Sequence, residues 1–345
     1  MTSKANLHIA FVISPSNTYS NTYSGVVRQA LAWAEGLRQL GYCVDFPVSH
    51  QTYNWSSCDI VHLFHFGSWA EGLIGQLRRD GIPLVLSPIV DRSTPYGWRG
   101  RLIARLPFER LGLEQRQRGL FRHMQACSKV LARSELEAQS FRDLGIRPER
   151  LRIVRLGAEV WPARQTIPCR KARHVFHMSH LDQPRKNVRA LINACRKADV
   201  PLRLAGKISD PAFASWLEVE CAARPGLVYL GPLSEERKWE EMFNAAVFCL
   251  PSLNEGVGLV ALEAHLAGAH VVITRRSGGT EYFGDEVEIC DPTSIEDIAH
   301  CLSRALAKPV RTEPRLDALA ELSVSASVDK LSEVYVDITS SAGSN

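Results

Sequence analysis

The stretch Cys249–Ala264, CLPSLNEGVGLVALEA, holds the densest group of residues able to do chemistry. With the AAVF before it, it reads as a buried strand, a proline-bounded loop, a Gly-x-Gly turn at Gly256 and Gly258, and a helix. Such a turn leaves backbone N–H groups open at a helix N-terminus, where partial positive charge attracts phosphate. Glu255 stands at the mouth of the turn, and Glu263 lies eight residues on, inside the helix. The spacing says little by itself, because 23 glutamates in 345 residues give about 1.5 such pairs by chance in a chain of ordinary composition. The setting gives the pair its weight, since ligands of open α/β sheets gather at the C-terminal ends of strands. A solvated, helix-capping carboxylate pair is the alternative.

Such a turn has to be carried by alternating strands and helices, and both halves of the chain supply them. In the first half, apolar runs at Ile9–Ile13, Ile60–Phe64, Leu84–Ser87, Val130–Arg133 and Leu151–Val154 predict strands. Gly25–Leu40, Trp69–Arg79 and Glu135–Leu144 predict helices, stopped by Gly41, Gly81 and Gly145. The polar, twice proline-broken WPARQTIPCRK at 161–171 predicts a linker between domains 1–160 and 172–324. In the second half strands are expected near Val175–Met178, Leu202–Ala205, Val228–Leu230, Val247–Leu250, Val271–Thr274 and Glu288–Cys290. Helices are expected at Val188–Lys197, Lys238–Ala245, Leu259–Ala267 and Ile295–Leu306, and 325–345 predicts a last amphipathic helix with a tail, packing back toward the first domain. The fold class expected is α/β, with two doubly wound parallel sheets.

Composition narrows the classes. Apolar residues at 45% and charged residues at 23% exclude a disordered, collagenous or coiled-coil chain. A net charge of +4 gives no case for nucleic acid, but it is unevenly spread: +7 over residues 1–160 and −3 over 161–345. Nine scattered cysteines without Cys-x-x-Cys or metal-ligand spacing suit a reducing cytosol. Neither a secretion signal nor a transmembrane helix is read, so a cytoplasmic protein is expected.

Strand, Pro-Ser, Glu-Gly-x-Gly-Leu and Leu-Glu-Ala together resemble the signature of the retaining glycosyltransferases of family 4, within glycosyl transferases group 1. The resemblance extends over RSELEAQSFRDLGIRPERLRIVRLGAE (133–159), LGPLSEERKWEEMFNAAVFCLPS (230–252) and GGTEYFGDEVEICDPTSIEDIAHCL (278–302), with Arg155 in place of a usual proline. It implies the GT-B fold, two facing Rossmann-like domains with a donor cleft between them. It also implies that Glu263 binds the nucleotide ribose, that Glu255 contacts the transferred sugar, that amides of Gly256, Val257, Gly258 and Leu259 hold the diphosphate, and that Val260 belongs to the donor site. By the same resemblance Lys186 binds phosphate, Leu230 and Leu233 flank the base, and Gly25 belongs to a glycine-rich loop facing the donor phosphates, where Ser24 replaces one of two usual glycines. His180 falls where an arginine usually sits, and an imidazole must be protonated to do the work of a guanidinium. No cofactor and no metal is expected, and the chain contains no Asp-x-Asp.

The first domain departs most from the family. No histidine ends the strand PLVLSP (83–88), where many members have one; His65, ending a neighbouring strand, is the candidate for assisting catalysis, with a structural role as the alternative. Gly97–His123 carries seven arginines and two glutamates among apolar residues. Arg99, Arg101 and Arg105 are therefore candidates for contact with an anionic membrane surface or a lipid-linked acceptor, against an ordinary helix with solvated arginines. The expected function is transfer of a sugar from a nucleotide-diphosphate donor to a glycan or lipid-linked saccharide, in surface polysaccharide or glycolipid synthesis. A non-catalytic nucleotide-sugar-binding subunit and a nucleotide-sugar epimerase are the rival readings.

Overall fold

A computed structural model of the chain describes residues 7–14, 25–47, 52–91, 97–98, 102, 116–158, 171–311 and 320–342. Arg99, Arg101, Arg105 and all but Lys171 of the expected linker lie outside these residues. The chain divides into two units. One holds Met1–Val90, Thr94–Gly157 and Ser323–Asn345; the other is principally Ala158–Leu322.

In the first unit six parallel strands, β1 (His8–Ile13), β2 (Cys43–Asp45), β3 (Ile60–Phe64), β4 (Leu84–Ser87), β5 (Lys129–Ala132) and β6 (Leu151–Ile153), run in the order β2-β1-β3-β4-β5-β6. Helices α1 (Gly25–Gln39), α2 (Glu71–Arg79), α3 (Arg116–Ala126) and α4 (Glu135–Asp143) connect them. Strands β3 and β4 are buried along their whole length, which is why IVHLF and LVLS read as continuous runs rather than alternations. Helix α3 packs Leu120 and Met124 into the core, and its Arg122 pairs with Glu71 at 2.6 Å. The end of the basic segment is thus a helix with one packed face. The C-terminal helix, numbered α10 in chain order (Val324–Ala342), belongs to this unit. It is fastened by Trp33 Nε1 to Ser327 Oγ at 2.8 Å, Tyr42 to Ser332 at 2.6 Å, and Tyr335 to His62 at 2.6 Å.

In the second unit β7 (Ala172–Met178), β8 (Leu202–Ala205), β9 (Leu227–Tyr229), β10 (Ala245–Leu250), β11 (His270–Thr274) and β12 (Glu288–Cys290) form a parallel sheet in the order β12-β11-β10-β7-β8-β9. The connecting helices are α5 (Val188–Lys197), α6 (Pro211–Ala223), α7 (Glu235–Asn244), α8 (Leu259–Leu266) and α9 (Ile295–Ala307). This is the doubly wound order, with the winding reversing between β7 and β10. Two elements escape the sequence reading. Strand β2 has only three residues, too few to show a period. Helix α6 spreads apolar residues around its circumference and leaves Val219 exposed, although Asp210 capping Ala212 N and Pro211 at its first turn mark its start.

Candidate active site

The reversal between β7 and β10 places the ends of these two strands side by side, and the chemistry-bearing residues of this unit follow from them. Side chains cap four of the helices: Ser134 on α4, Asp210 on α6, Ser234 on α7 and Ser294 on α9. Helix α8 starts differently. Its N-cap is Gly258 at φ 74°, a left-handed conformation that suits glycine, and no side chain caps it. Gly258 O accepts from Ala261 and Leu262 at the positive end of the helix.

The turn before α8 is held from one side by the segment after β11. Glu255 N–H donates to the Arg276 carbonyl at 3.0 Å, and Gly256 O accepts from Gly279 N and from Ser277 Oγ, both at 3.1 Å. Ser277 Oγ in turn accepts from Gly279 N at 2.8 Å. Any Cβ at Gly279 would overlap the Val257 carbonyl, so glycine is what lets the two loops meet.

The Glu255 carboxylate is buried and fully engaged. Its Oε2 accepts from Lys186 Nζ at 2.6 Å and Ser252 Oγ at 2.9 Å, while Arg185 stands 3.7 Å from Oε1. Lys186 and Arg185 come from the single turn Pro184–Lys186 after β7, closed by Asn187 at φ 58°. The side chain of Asn187 donates to the carbonyls of Pro251 and Pro292, and Leu253 N donates to Arg185 O at 2.7 Å. The β7 loop is therefore bolted to the β10 loop, and Lys186 and Glu255 meet although 69 residues separate them. Beneath them, His177 of β7 bridges the Cys249 carbonyl and Ser179 Oγ, each at 2.7 Å. Burial pushes its pKa down to about 4, so it is a neutral strut.

Glu263, in the middle of α8, is also buried. Its Oε1 accepts from Lys238 Nζ at 3.1 Å, and Lys238, 1% exposed, also pairs with Glu235 at 2.6 Å. Lys238, Ser252, Arg185 and Ser277 were not among the residues picked from sequence. Ser252 sits in the Pro-Ser after β10, but only the fold shows it donating to Glu255. Leu230 and Leu233 are half-buried beside Gly231 at φ 74°, after β9. His180 takes another direction: its Nε2 lies 3.0 Å from Asp182 and 3.1 Å from Ser209 Oγ, and its Nδ1 3.1 Å from Gln183. In this cluster Asp182 also accepts from the backbone of Ser209 and Asp210.

In the first unit the strand order reverses at β1 and β3, and the two candidates follow those strands. Gly25 opens α1 with open space around its α-carbon. His65 follows β3 at φ 74°, uncommon for a residue with a side chain, and such strain is typically held where function needs it. Its N–H donates to Ser87 O at 2.8 Å, and its Nδ1 lies 2.9 Å from the Phe66 carbonyl, with the two rings stacked. His62, by contrast, lies fully inside the core between Tyr335 and Ser87.

Comparison with known proteins agrees with this architecture. Residues 161–321 match the family described as Glycosyl transferases group 1. The chain is 26% identical over 249 residues to the MMP alpha-(1->4)-mannosyltransferase of Mycolicibacterium hassiacum, covering 68% of this chain and 59% of that protein. It is 27% identical over 323 residues to the D-inositol 3-phosphate glycosyltransferase of Streptosporangium roseum, covering 80% and 69% of the two. Among solved structures, sucrose-phosphate synthase from Thermosynechococcus elongatus superposes with a TM-score of 0.71 at 15% identity, over 97% of this chain and 100% of that one. That likeness concerns fold, and the fold is GT-B. Residues 161–321, a little under half of the chain, are thus similar to the glycosyl transferases group 1 family.

Proposed function

We propose that the chain is a retaining, metal-independent glycosyltransferase that moves a sugar from a nucleotide-diphosphate donor to a hydroxyl of a glycan or lipid-linked saccharide. The observation that carries this reading is the uncapped start of α8 beside the Lys186–Glu255 pair, with Glu263 one helical stretch further on. Breaking the bond from the anomeric carbon to the diphosphate leaves negative charge on the phosphate and positive charge on the sugar. The α8 amides and Lys186 stabilise the first, which a fixed positive site can do without a divalent metal. Lys186 exchanges Glu255 for the diphosphate when donor arrives, and the released carboxylate turns to the sugar hydroxyls. Glu263, set by Lys238, accepts from the ribose. The acceptor hydroxyl attacks on the face that the diphosphate leaves, with a diphosphate oxygen taking its proton, so the configuration is retained.

The names of the relatives, mannosyl transfer and transfer to an inositol phosphate, support a hexose donor and a polar acceptor. Trp98 and Leu102, 72% and 51% exposed, bracket Arg99 and Arg101 in sequence and support a peripheral place on the cytoplasmic face of a membrane. No helix among the described residues is long and apolar enough to cross one.

The test is product stereochemistry. Incubated with an α-linked nucleotide sugar and a saccharide acceptor, the chain should yield an α-glycoside by NMR, and Glu255→Gln should lower kcat about 100-fold or more. A β-product would overturn retention. Consumption of donor without any acceptor would favour an epimerase or hydrolase, and donor binding without turnover a non-catalytic subunit.

A further inference from the structure

At the other end of the first unit's sheet, three metal-ligating side chains converge. His8 begins β1 and Cys43 begins β2, and the two are directly paired across the parallel ladder. Asp45 stands two residues after Cys43 on the same strand, so its side chain lies on the same face. One donor atom from each of His8, Cys43 and Asp45 lies within 4.8 Å of the other two. The sequence gives no hint of this, because residues 8, 43 and 45 share no ligand spacing; only the β1–β2 register brings them together.

The surroundings fix the donors as a metal site does. His8 Nδ1 lies 2.8 Å from the Ser57 carbonyl, which aims Nε2 at Asp45 Oδ2, 2.8 Å away. A carbonyl on the far ring nitrogen is the usual outer support of a metal-bound imidazole. Tyr53 donates to the same Asp45 oxygen at 3.0 Å, and His8 N–H donates to Asp59 at 2.7 Å, so both the carboxylate and the strand start are anchored. Cys43 is the one exposed cysteine among the described residues.

We propose that His8, Cys43 and Asp45 bind one zinc ion, with water as the fourth ligand. A thiolate, a carboxylate and a neutral imidazole match the ion's charge and its preference for nitrogen and sulfur. At ligand distances of about 2.0–2.3 Å tetrahedral donors stand about 3.3–3.6 Å apart, so His8 Nε2 and Asp45 Oδ2, 2.8 Å apart in their direct contact, part slightly around the ion, and Cys43 Sγ must come within the same reach. Rotation of the exposed Cys43 side chain supplies the difference. His8 and Cys43 start their strands, whereas Gly25 and His65 follow strand C-terminal ends. The ion therefore acts structurally, clipping the three-residue edge strand β2 to β1, and takes no part in transfer.

The test uses the full chain, reduced and stripped with chelator, titrated with Co²⁺ and then with Zn²⁺. One equivalent of Co²⁺ should give a thiolate-to-cobalt charge-transfer band that Zn²⁺ abolishes. Cys43→Ser should lose the band while keeping its far-UV circular dichroism, and Asp45→Asn should weaken binding tenfold or more. Zn²⁺ should raise the Tm of the wild-type chain and leave that of Cys43→Ser unchanged. Absence of the band, or its persistence in Cys43→Ser, would overturn the proposal; the second result would assign the thiolate to another cysteine.

Discussion

A lysine that is 1% exposed marks the limit of reading a site by residue type. Lysines are almost never fully buried unless paired, so Lys238 in SEERKWEEM reads as a solvated helix residue. In the fold it lies under α8 and holds Glu263. Glu255 and Glu263 were legible because glycines and a strand frame them, and their partners were not, because hydrogen bonds across 25 and 69 residues leave no local trace. The partners of His180 are equally hidden: its place in sequence suggests the donor site, and only the fold shows Asp182 and Ser209 against its ring. The Lys238–Glu263 pair gives a direct prediction. Lys238→Met strands a buried carboxylate and should destabilise the second unit by about 3 kcal/mol, since breaking a buried pair costs far more than the pair contributes. Adding Glu263→Gln should recover a large part of that loss in urea unfolding. Additive losses would show that the two side chains do not act as a pair.

The elements themselves were largely readable. Parallel strands buried on both faces appear as plain apolar runs, and glycines stop the helices between them. The ranges at Val188–Lys197 and Leu202–Ala205 coincide with the observed α5 and β8. What local pattern does not encode is how loops are clamped. The Gly-x-Gly turn owes its shape to Ser277 and Gly279 from the next strand's loop as much as to its own glycines. Gly279→Ala should therefore act at a distance. Its methyl group would push the Val257 carbonyl away and displace the start of α8. The expected cost is about 1–3 kcal/mol by thermal or urea unfolding, the usual range for an overpacked site. A nucleotide affinity at least tenfold weaker should accompany it. Unchanged stability with unchanged affinity would mean that the clamp does not shape the turn.

For the whole molecule, two sheets of different winding each contribute a point of reversal: β1 beside β3 in the first unit and β7 beside β10 in the second. The sequence shows two α/β halves but not strand order, which is set by long-range pairing. Three buried histidines tie both units to pH. Burial pushes His62 down to about 3, and His174 and His177 to about 4, from 6.5. Between these values the unfolded chain binds protons that the folded chain refuses. Their contribution to stability is thus full above about pH 6.5 and lost as pH falls, by about 1.4 kcal/mol per group for each pH unit. Urea midpoints should drop steeply from pH 6.5 to 4, and His62→Gln should flatten that dependence for the first unit. A midpoint independent of pH would contradict the buried, neutral assignment. In the proposed function the loop and helix after β10, with Lys186, form a nucleotide-sugar site. Isothermal titration of UDP, GDP, dTDP and their sugar conjugates into the full chain, with Lys186→Ala and Glu263→Gln alongside, tests it most directly. Saturable binding of one nucleotide is expected, weakened tenfold or more by each substitution, with Lys186→Ala acting on the diphosphate and leaving nucleoside binding intact. No binding by any of the nucleotides, or binding indifferent to both substitutions, would contradict it.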